Sequence, residues 1–409
     1  MSRIVIIGAG ASGLICSIFA KRSSPSADVF LLEKNDRAAR KLLATGNGRC
    51  NFTNTETSPE RFYGQDSSFS AFALDSFTPR DAVEFFAGIG VYAKTESEGR
   101  VYPYSNSAAS VVDALRFEAE RLGVEIKTGF EVDAIKKTKT GFDITGENRV
   151  LANKAVIACG GCAHPELGSN GAGFRLLASL GHEITSLAPS LVQVKTEKTP
   201  LNGLSGLRAH AELTLLRDGT RISSERGELL FTDYGLSGIA IMNLSRFLNV
   251  RARFELEIDL MPELSHEQVR LLLERTKSAI GHLTAEYFLS GIFAKKMGQA
   301  ICKISGIGKL SVLTRELSGA QIASIASSIK ASRVLLLGTN GFTNAQITSG
   351  GAKTDQFDPR TMESRIHPGL FACGEVLDIA GECGGFNLHW CWASGRLAGI
   401  NSASCYSVN

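Results

Sequence analysis

The chain opens with RIVII, Arg3 to Ile7, and passes at once into GAGASG, Gly8 to Gly13. A short apolar, β-branched run is what a strand buried on both faces of a parallel sheet needs. The three glycines that follow have separate tasks. Gly8 permits a tight turn, Gly10 lets backbone approach a pyrophosphate, and Gly13 lets the next helix lie close to the strand. Ala11 and Ser12 then open a helix whose free N–H groups receive phosphate, each contact contributing roughly 0.3–1 kcal/mol. Leu14 to Lys21 reads as that helix, Ser23-Ser24-Pro25-Ser26 as loop, and Val29 to Leu32 as a second buried strand. Glu33 closes it, 20 residues past Gly13. An acid at that spacing takes ribose hydroxyls and repels a 2′-phosphate. Strand, turn, helix, strand and acid agree on a dinucleotide-binding βαβ unit.

The same opening imitates a signal peptide, with Arg3 before an apolar run, but Gly8, Gly10 and Gly13 would break its helix. No stretch reaches the roughly 18 uninterrupted apolar residues of a membrane helix. The 409 residues are 44% hydrophobic and 21% charged, which excludes a disordered or fibrous chain. At about 150 residues per domain, two to three domains are expected. The net charge of +3 is small, and no basic patch interleaved with aromatics stands out. A small-molecule substrate is therefore expected rather than nucleic acid or a membrane. Nine scattered cysteines, an odd number, fit a reducing cytoplasm.

Further along, Ser107 to Leu122 reads as a crossover helix, Val124 to Ile126 as a parallel strand, and Val150 to Ala158 as another. That last strand leads through Gly160-Gly161 to a helix near Gly173 to Leu180. After about Pro189 come short strands: Val192 to Thr196, Leu213 to Leu216, Leu229 to Thr232 and Phe254 to Leu260. Ser265 to Lys277, Thr284 to Lys296 and Ser318 to Lys330 read as helices. The apolar run Leu370 to Cys373 and a helix from Phe386 to about Ile400 finish the chain. The fold class expected is α/β, a Rossmann-type domain interrupted by a β-barrel-like insertion and a small helical domain. The expected boundaries are 1–188 and 349–409 for the nucleotide-binding domain, 189–262 and 334–348 for the β-rich part, and 263–333 for the helical cap.

Two more segments carry chemistry. In KLLATGNGRCN, Gly46 and Gly48 can form a backbone nest with Lys41 and Arg49 beside it, suited to a second phosphate. Near the C-terminus, Gly374-Glu375 and Asp378 offer acceptors for ribityl or ribose hydroxyls, and Gly384-Gly385-Phe386-Asn387 opens a helix. The N-terminus of that helix suits the pyrimidine end of a flavin, where reduction leaves negative charge. Taken alone, each also reads as an ordinary Gly-rich loop or a capped strand–turn–helix.

GAGASG, LLEKN, RKLLATGNGRCNFTN, GELLFTDYGLSG, TSGGAKT, TMESR and FACGEVLDIAGECGGFNLHWCWASG together resemble a group of bacterial FAD-dependent oxidoreductases. That group contains aminoacetone oxidase and the flavoprotein reductase of bile-acid 7-dehydroxylation. The resemblance implies one non-covalent FAD in a discontinuous domain of the glutathione-reductase kind. It implies that Glu33 and Lys34 lie at the adenosine ribose, and that Val132 contacts adenine through its backbone. Arg40, Lys41, Gly48, Arg49, Cys50 and Asn51 would follow the cofactor, as would Gly160 and Gly161. Gly374, Glu375 and Asp378 would lie near the ribityl–phosphate region, and Gly385, Asn387 and Leu388 by the isoalloxazine. Cys159 stands in ACGG where the group usually has Thr, and Glu382-Cys383 also departs from it.

Arg100, Tyr102, Tyr104, Tyr234 and His389 are candidates for the substrate pocket. Cys159 and Cys162 form a CxxC that invites a disulfide-reductase reading, though two incidental thiols flanking a Gly pair explain it as well. No cysteine or histidine spacing fits a metal site. The expected activity is hydride transfer at flavin N5, with first choice the reduction of a conjugated C=C bond in a steroid-like enone. Oxidation of a small amine such as aminoacetone with O₂ is one alternative, and an FAD-bearing RNA-modification protein is another. With no second fingerprint, NAD(P)H is expected only as a visiting electron donor.

Overall fold

The computed structural model describes residues 2–198, 203–248 and 252–404. The chain divides into two compact units, Met1–Pro189 with Ala345–Asn409, and Ser190–Asn344.

The first unit is built on a five-stranded parallel sheet. Its order is Leu370–Ala372, Lys154–Ile157, Arg3–Ile7, Asp28–Leu32, Glu125–Lys127. Arg3–Ile7 lies in the middle, and Ile4, Val5 and Ile6 are fully buried, as their unbroken apolar run requires. The opening helix, Ala11–Ser23, packs on the closing helix, Phe386–Ala403. Two glycines allow the close approach. A Cβ at Gly395 would stand 2.6 Å from the Ser12 carbonyl oxygen, and one at Gly399 2.4 Å from that of Cys16. The two ends of the sequence are thus locked together beside the sheet.

The expected strand Val150 to Ala158 is in fact two strands in two sheets. Arg149–Ala152 joins an antiparallel sheet with Gly141–Gly146 and Val132–Thr138, while Lys154–Ile157 joins the parallel one. Asn153 makes the break. Its side-chain oxygen accepts the Arg3 N–H at 2.7 Å, and its own N–H donates to the Arg3 carbonyl.

The second unit holds a closed barrel. Val194–Thr196, Gly235–Ser237, Thr220–Phe231, Arg208–Arg217, Phe254–Asp259 and Ser332–Thr339 pair in turn, and the last returns to the first. Helices His266–Ala279, Lys295–Ile304 and Gly319–Ala331 complete it. Ser265 and Ser318 start the outer two with full capping boxes. Barrel and helices share one apolar core, separate from that of the first unit. The helix expected over Thr284 to Lys296 does not form. Only one 3₁₀ turn, Ala285–Tyr287, is present, and the helix starts at Lys295. The N–H groups of Ala285 and Glu286 donate instead to the carbonyls of Val312 and Leu310. That pairing, with the Thr284–Leu313 bridge, holds the start of the segment extended, the bonds that follow are mostly short i→i−3 turns, and Gly291 weakens a helix further.

Candidate flavin-binding site

Gly8, Gly10 and Gly13 divide their work as the fingerprint requires. Gly8 adopts φ +105°, and a Cβ there would lie 2.6 Å from the Ala158 carbonyl oxygen. At Gly13 a Cβ would lie 1.8 Å from the Gly8 oxygen, so only glycine lets helix and strand meet. Gly10 differs, because nothing lies within 4 Å of the position a Cβ would take. It is the N-cap of Ala11–Ser23, and that helix has neither a side-chain cap nor an acid in its first turn. Room for an incoming group, uncapped N–H groups and a positive helix end fit a diphosphate at this turn.

Glu33 ends the second strand, 8% exposed. One carboxylate oxygen accepts the Ala9 N–H at 3.0 Å; the other accepts from the Asn35 backbone (2.9 Å) and side-chain amide (2.6 Å). It therefore also braces the glycine turn. Gly8, Glu33, Lys34 and Val132 line one cleft, together with Phe130, Cys159 and Asn170. The resemblance expects the adenosine end of FAD at these residues. Phe130 and Asn170 were missed because neither belongs to a short motif; each arrives from a loop beside a strand end.

At the next step Lys41 meets Glu375 at 2.9 Å, and the other Glu375 oxygen accepts the Thr348 N–H at 2.7 Å. A Cβ on Gly161 would come within 2.7 Å of Glu375 Oε1 and 2.4 Å of Thr348 Oγ1. Gly374, at φ +76°, sits against the Ser12 hydroxyl. Lys41, Gly160, Gly161, Gly374 and Glu375 thus converge beside the start of the opening helix. Thr348, from the TSGGAKT segment, is the residue of this cluster not singled out in the sequence. Arg40 stays at the rim, 3.4 Å from the Asn35 side chain.

The third region joins the Lys41–Asn54 segment to the closing helix. Gly46 and Asn47 take left-handed φ values of 57° and 56°, as a nest requires. Gly48, at φ +82°, has open space where a Cβ would be. Arg49 lies 4.0 Å over the Tyr102 ring and bonds Glu96 and Asn106, and it holds the Glu96 carboxyl below its usual range. Burial lifts the Tyr102 phenol above its ordinary value. Cys50 is buried and burial pushes its thiol up to about 12, so it packs rather than reacts. Asn51 Oδ1 accepts the Val101 N–H and lies 2.8 Å from the Cβ position of Gly385. Gly385, at φ +102°, is the N-cap of Phe386–Ala403, which again carries no side-chain cap and no acid in its first turn. Leu388 packs partly buried against the main core.

Several candidates prove to be engaged by the protein itself. The Asn387 amide bonds Gly381 twice and the Glu382 carbonyl once, closing the loop before the helix. Asp378 is buried and accepts from Thr185 Oγ1 and the Gln65 N–H; burial raises its pKa despite those bonds. His389 is fully buried. Its Nε2 donates to the Phe77 carbonyl at 2.8 Å and its Nδ1 accepts from the Thr53 hydroxyl at 2.8 Å. Burial lowers its pKa to about 4, so it is a neutral structural histidine. Arg100 bonds Ser97 and Glu98. Tyr104 is 68% exposed. Tyr234 belongs to the second unit, in the turn between Thr220–Phe231 and Gly235–Ser237.

Cys159 and Cys162 are both free thiols. Cys159 donates toward the Ile7 carbonyl and burial pushes its pKa up to about 12; burial also raises that of Cys162. A thiol kept protonated is a poor nucleophile, which argues against the disulfide-reductase reading. Among the described residues no cluster of His, Cys, Asp and Glu could hold a metal, and no helix is long and apolar enough to cross a membrane.

Residues 2–401 match the family described as HI0933-like protein Rossmann domain. The chain belongs to that family. Over 408 residues it is 39% identical to the 3-dehydro-bile acid delta(4,6)-reductase of Clostridium scindens, covering 98% of this chain and 99% of the relative. It is 31% identical over 394 residues to the ribosomal RNA dihydrouridine synthase of Escherichia coli, 95% of each chain. The enzyme of that name from Haemophilus influenzae is 28% identical, covering 98% of both chains. This HI0933-like chain is thus an enzyme of the FAD-dependent oxidoreductase group that its motifs resemble, with a Rossmann-type domain and an inserted barrel.

Proposed function

We propose that this HI0933-like enzyme saturates a carbon–carbon double bond conjugated to a carbonyl. One observation carries the reading: the two reactions named for its full-length relatives share that bond type. A 3-dehydro bile acid with 4,6 unsaturation is a conjugated ketone. Making dihydrouridine adds two hydrogens across the ring double bond of uracil, which is also conjugated to a carbonyl. Bound FAD supplies the hydride at N5. The chain's part is to hold the diphosphate at the uncapped start of Ala11–Ser23, to take the adenosine ribose at Glu33, and to present the uncapped start of Phe386–Ala403 to the flavin ring. NAD(P)H serves as a visiting donor in this reading.

A steroid-like enone is the first substrate class, since the 39% identical relative is named for one. RNA is the second, and a specific feature favours it: the net charge of +3 conceals a division. Residues 190–344 carry 19 Lys and Arg against 14 Asp and Glu, and the remaining residues carry 25 against 27. The inserted unit is thus at +5 and the FAD-binding unit at −2, so the small total does not argue against a polyanion.

Anaerobic stopped-flow on the yellow holoprotein tests the reading. NADH or NADPH should bleach the flavin absorbance, and a 3-oxo-4,6-diene steroid or uridine-containing RNA should restore it. Failure of both acceptors with the reduced enzyme would defeat the proposal. So would peroxide release from aminoacetone in air at rates exceeding either reduction.

A further inference from the structure

We infer that the helical part of the inserted unit carries an RNA-binding ridge formed by Lys296, Lys303, Lys309 and Arg315 along the strip from Gly281 to Tyr287. The inference rests on the RNA reading above and deepens it by naming the surface that would grip the substrate.

From Tyr287 to Arg315 the chain has five basic residues and no acidic one. The five are Lys295, Lys296, Lys303, Lys309 and Arg315, and all are exposed. They are spread along the sequence, but the fold gathers them. Lys296 and Lys303 are seven residues apart on helix Lys295–Ile304, so they share one face, opposite the buried Met297 and Ile301. The segment from Lys309 to Arg315 runs back along Gly281–Glu286. Leu310 and Val312 accept the N–H groups of Glu286 and Ala285, and the Arg315 N–H donates to the Gly281 carbonyl. The helix is tied to the same strip, because Lys295 pairs with Glu286 at 2.8 Å and lies 4.1 Å over the Tyr287 ring. Lys295 of the helix and Lys309 of the returning loop therefore lie at the end of the strip that carries Tyr287, 43% accessible, and Arg315 lies at its Gly281 end.

The acids on this strip are already engaged. Glu286 holds Lys295 and Gln299, and Glu316 accepts the Leu313 N–H. Lys296, Lys303, Lys309 and Arg315 form no ion pair with a carboxylate among the described residues. Elsewhere in the unit Arg208, Arg226 and Arg333 are neutralised by Glu228, Glu263 and Glu257. Unneutralised cations on a strip with an exposed aromatic suit a phosphodiester chain with an unstacked base. The phosphates gain from counterion release and the ring offers a stacking face. RNA is chosen over an anionic membrane because the strip presents no apolar face for insertion beyond Tyr287 and Leu283.

The full-length, FAD-loaded protein is titrated with deproteinised bacterial ribosomal RNA and with vesicles of equal parts phosphatidylcholine and phosphatidylglycerol. Dihydrouridine formed in the RNA by the reduced enzyme is read by mass spectrometry in parallel. The variants are K296Q/K303Q/K309Q and K296E/K303E/K309E, with flavin content and Tm as folding controls. Expected is salt-sensitive RNA binding, at least tenfold weaker in the Gln variant and weaker again in the Glu variant. The slope of log K against log salt should fall by about 0.7–0.9 for each lysine that contacts a phosphate. Unchanged RNA affinity in both variants, or vesicle binding stronger than RNA binding, overturns the inference. If the variants bind and modify RNA as the parent does, the ridge is wrong while the RNA reading stands. Ridge-dependent binding with no dihydrouridine supports the ridge and removes the RNA substrate reading. If the parent neither binds nor modifies RNA, both fall.

Discussion

Glu33 and His389 show how differently two polar residues of one site behave. Glu33 accepts three N–H donors from the turn it closes, so its carboxylate is both a proposed ribose acceptor and a brace. Hydrogen bonds to a charged group contribute about 1.5–3 kcal/mol. Glu33→Ala should weaken FAD binding on the order of 10- to 100-fold and lower Tm, read by flavin absorbance per chain and thermal melting. Full occupancy at an unchanged Tm would show that this acid does neither job. Burial is what lowers the pKa of His389. Its folded pKa of about 4 lies below the ordinary 6.5, so the unfolded chain binds the proton first as the pH falls. Its stabilising effect is complete above pH 6.5 and is lost as the pH drops toward 4, by up to roughly 3 kcal/mol. Replacing it with Gln should flatten urea stability between pH 6.5 and 4. The pH–rate profile between 6 and 8 should keep its shape, because a neutral histidine bonded at both nitrogens has no proton to give. A profile that loses a limb in His389→Gln would restore it to the reacting groups.

The glycine turn gives a sharper contrast. Gly10 and Gly13 lie in one short motif, yet the structure around them differs completely. A methyl at Gly13 collides with the Gly8 carbonyl at 1.8 Å, whereas a methyl at Gly10 meets nothing within 4 Å. Gly13→Ala should therefore destabilise the FAD-free protein by about 1–3 kcal/mol or more, as overpacking does. Gly10→Ala should leave the FAD-free protein within about 0.5 kcal/mol of the parent but weaken FAD at least tenfold. Urea melts of stripped protein and flavin titrations separate the two; equal effects from both substitutions would mean that the space beside Gly10 is not where the diphosphate lies. This part of the site could be read from residues alone, because its constraints are local: a φ value, a turn, a spacing of 20. The tasks of Asn387, Asp378 and His389 could not be read that way. Asp378 and His389 are fixed by partners far away in sequence, at Thr185 and Phe77, and Asn387 turns back on the loop at Gly381; no short pattern records such partners. Thr284 to Lys296 misled for a like reason, since its first residues are held extended by pairing with Leu310–Leu313, some 25 residues further on.

At the scale of the whole molecule, the insertion was legible as a change of texture after Pro189, because short alternating strands differ from buried βαβ runs. Its closed barrel was not, since closure depends on Val194–Thr196 pairing with Ser332–Thr339 across the full length of the insertion. The same pairing has a consequence for independence. The first and last barrel strands are neighbours, so the two ends of the inserted unit lie side by side within it. With separate cores on either side, each unit holds its own fold. Replacing 190–344 by a short Gly/Ser linker should leave a yellow protein, because Gly8–Gly13, Glu33, Lys41, Glu375 and Gly385 all lie in the remaining unit. The same deletion should abolish RNA retention, because the basic ridge leaves with the insertion. Absorbance near the flavin maximum, after gel filtration, reads the first outcome, and filter binding at low salt the second. A soluble, folded but colourless deletion protein would show that FAD needs residues of the inserted unit. The proposed confinement of the cofactor to the Rossmann-type unit would then be wrong.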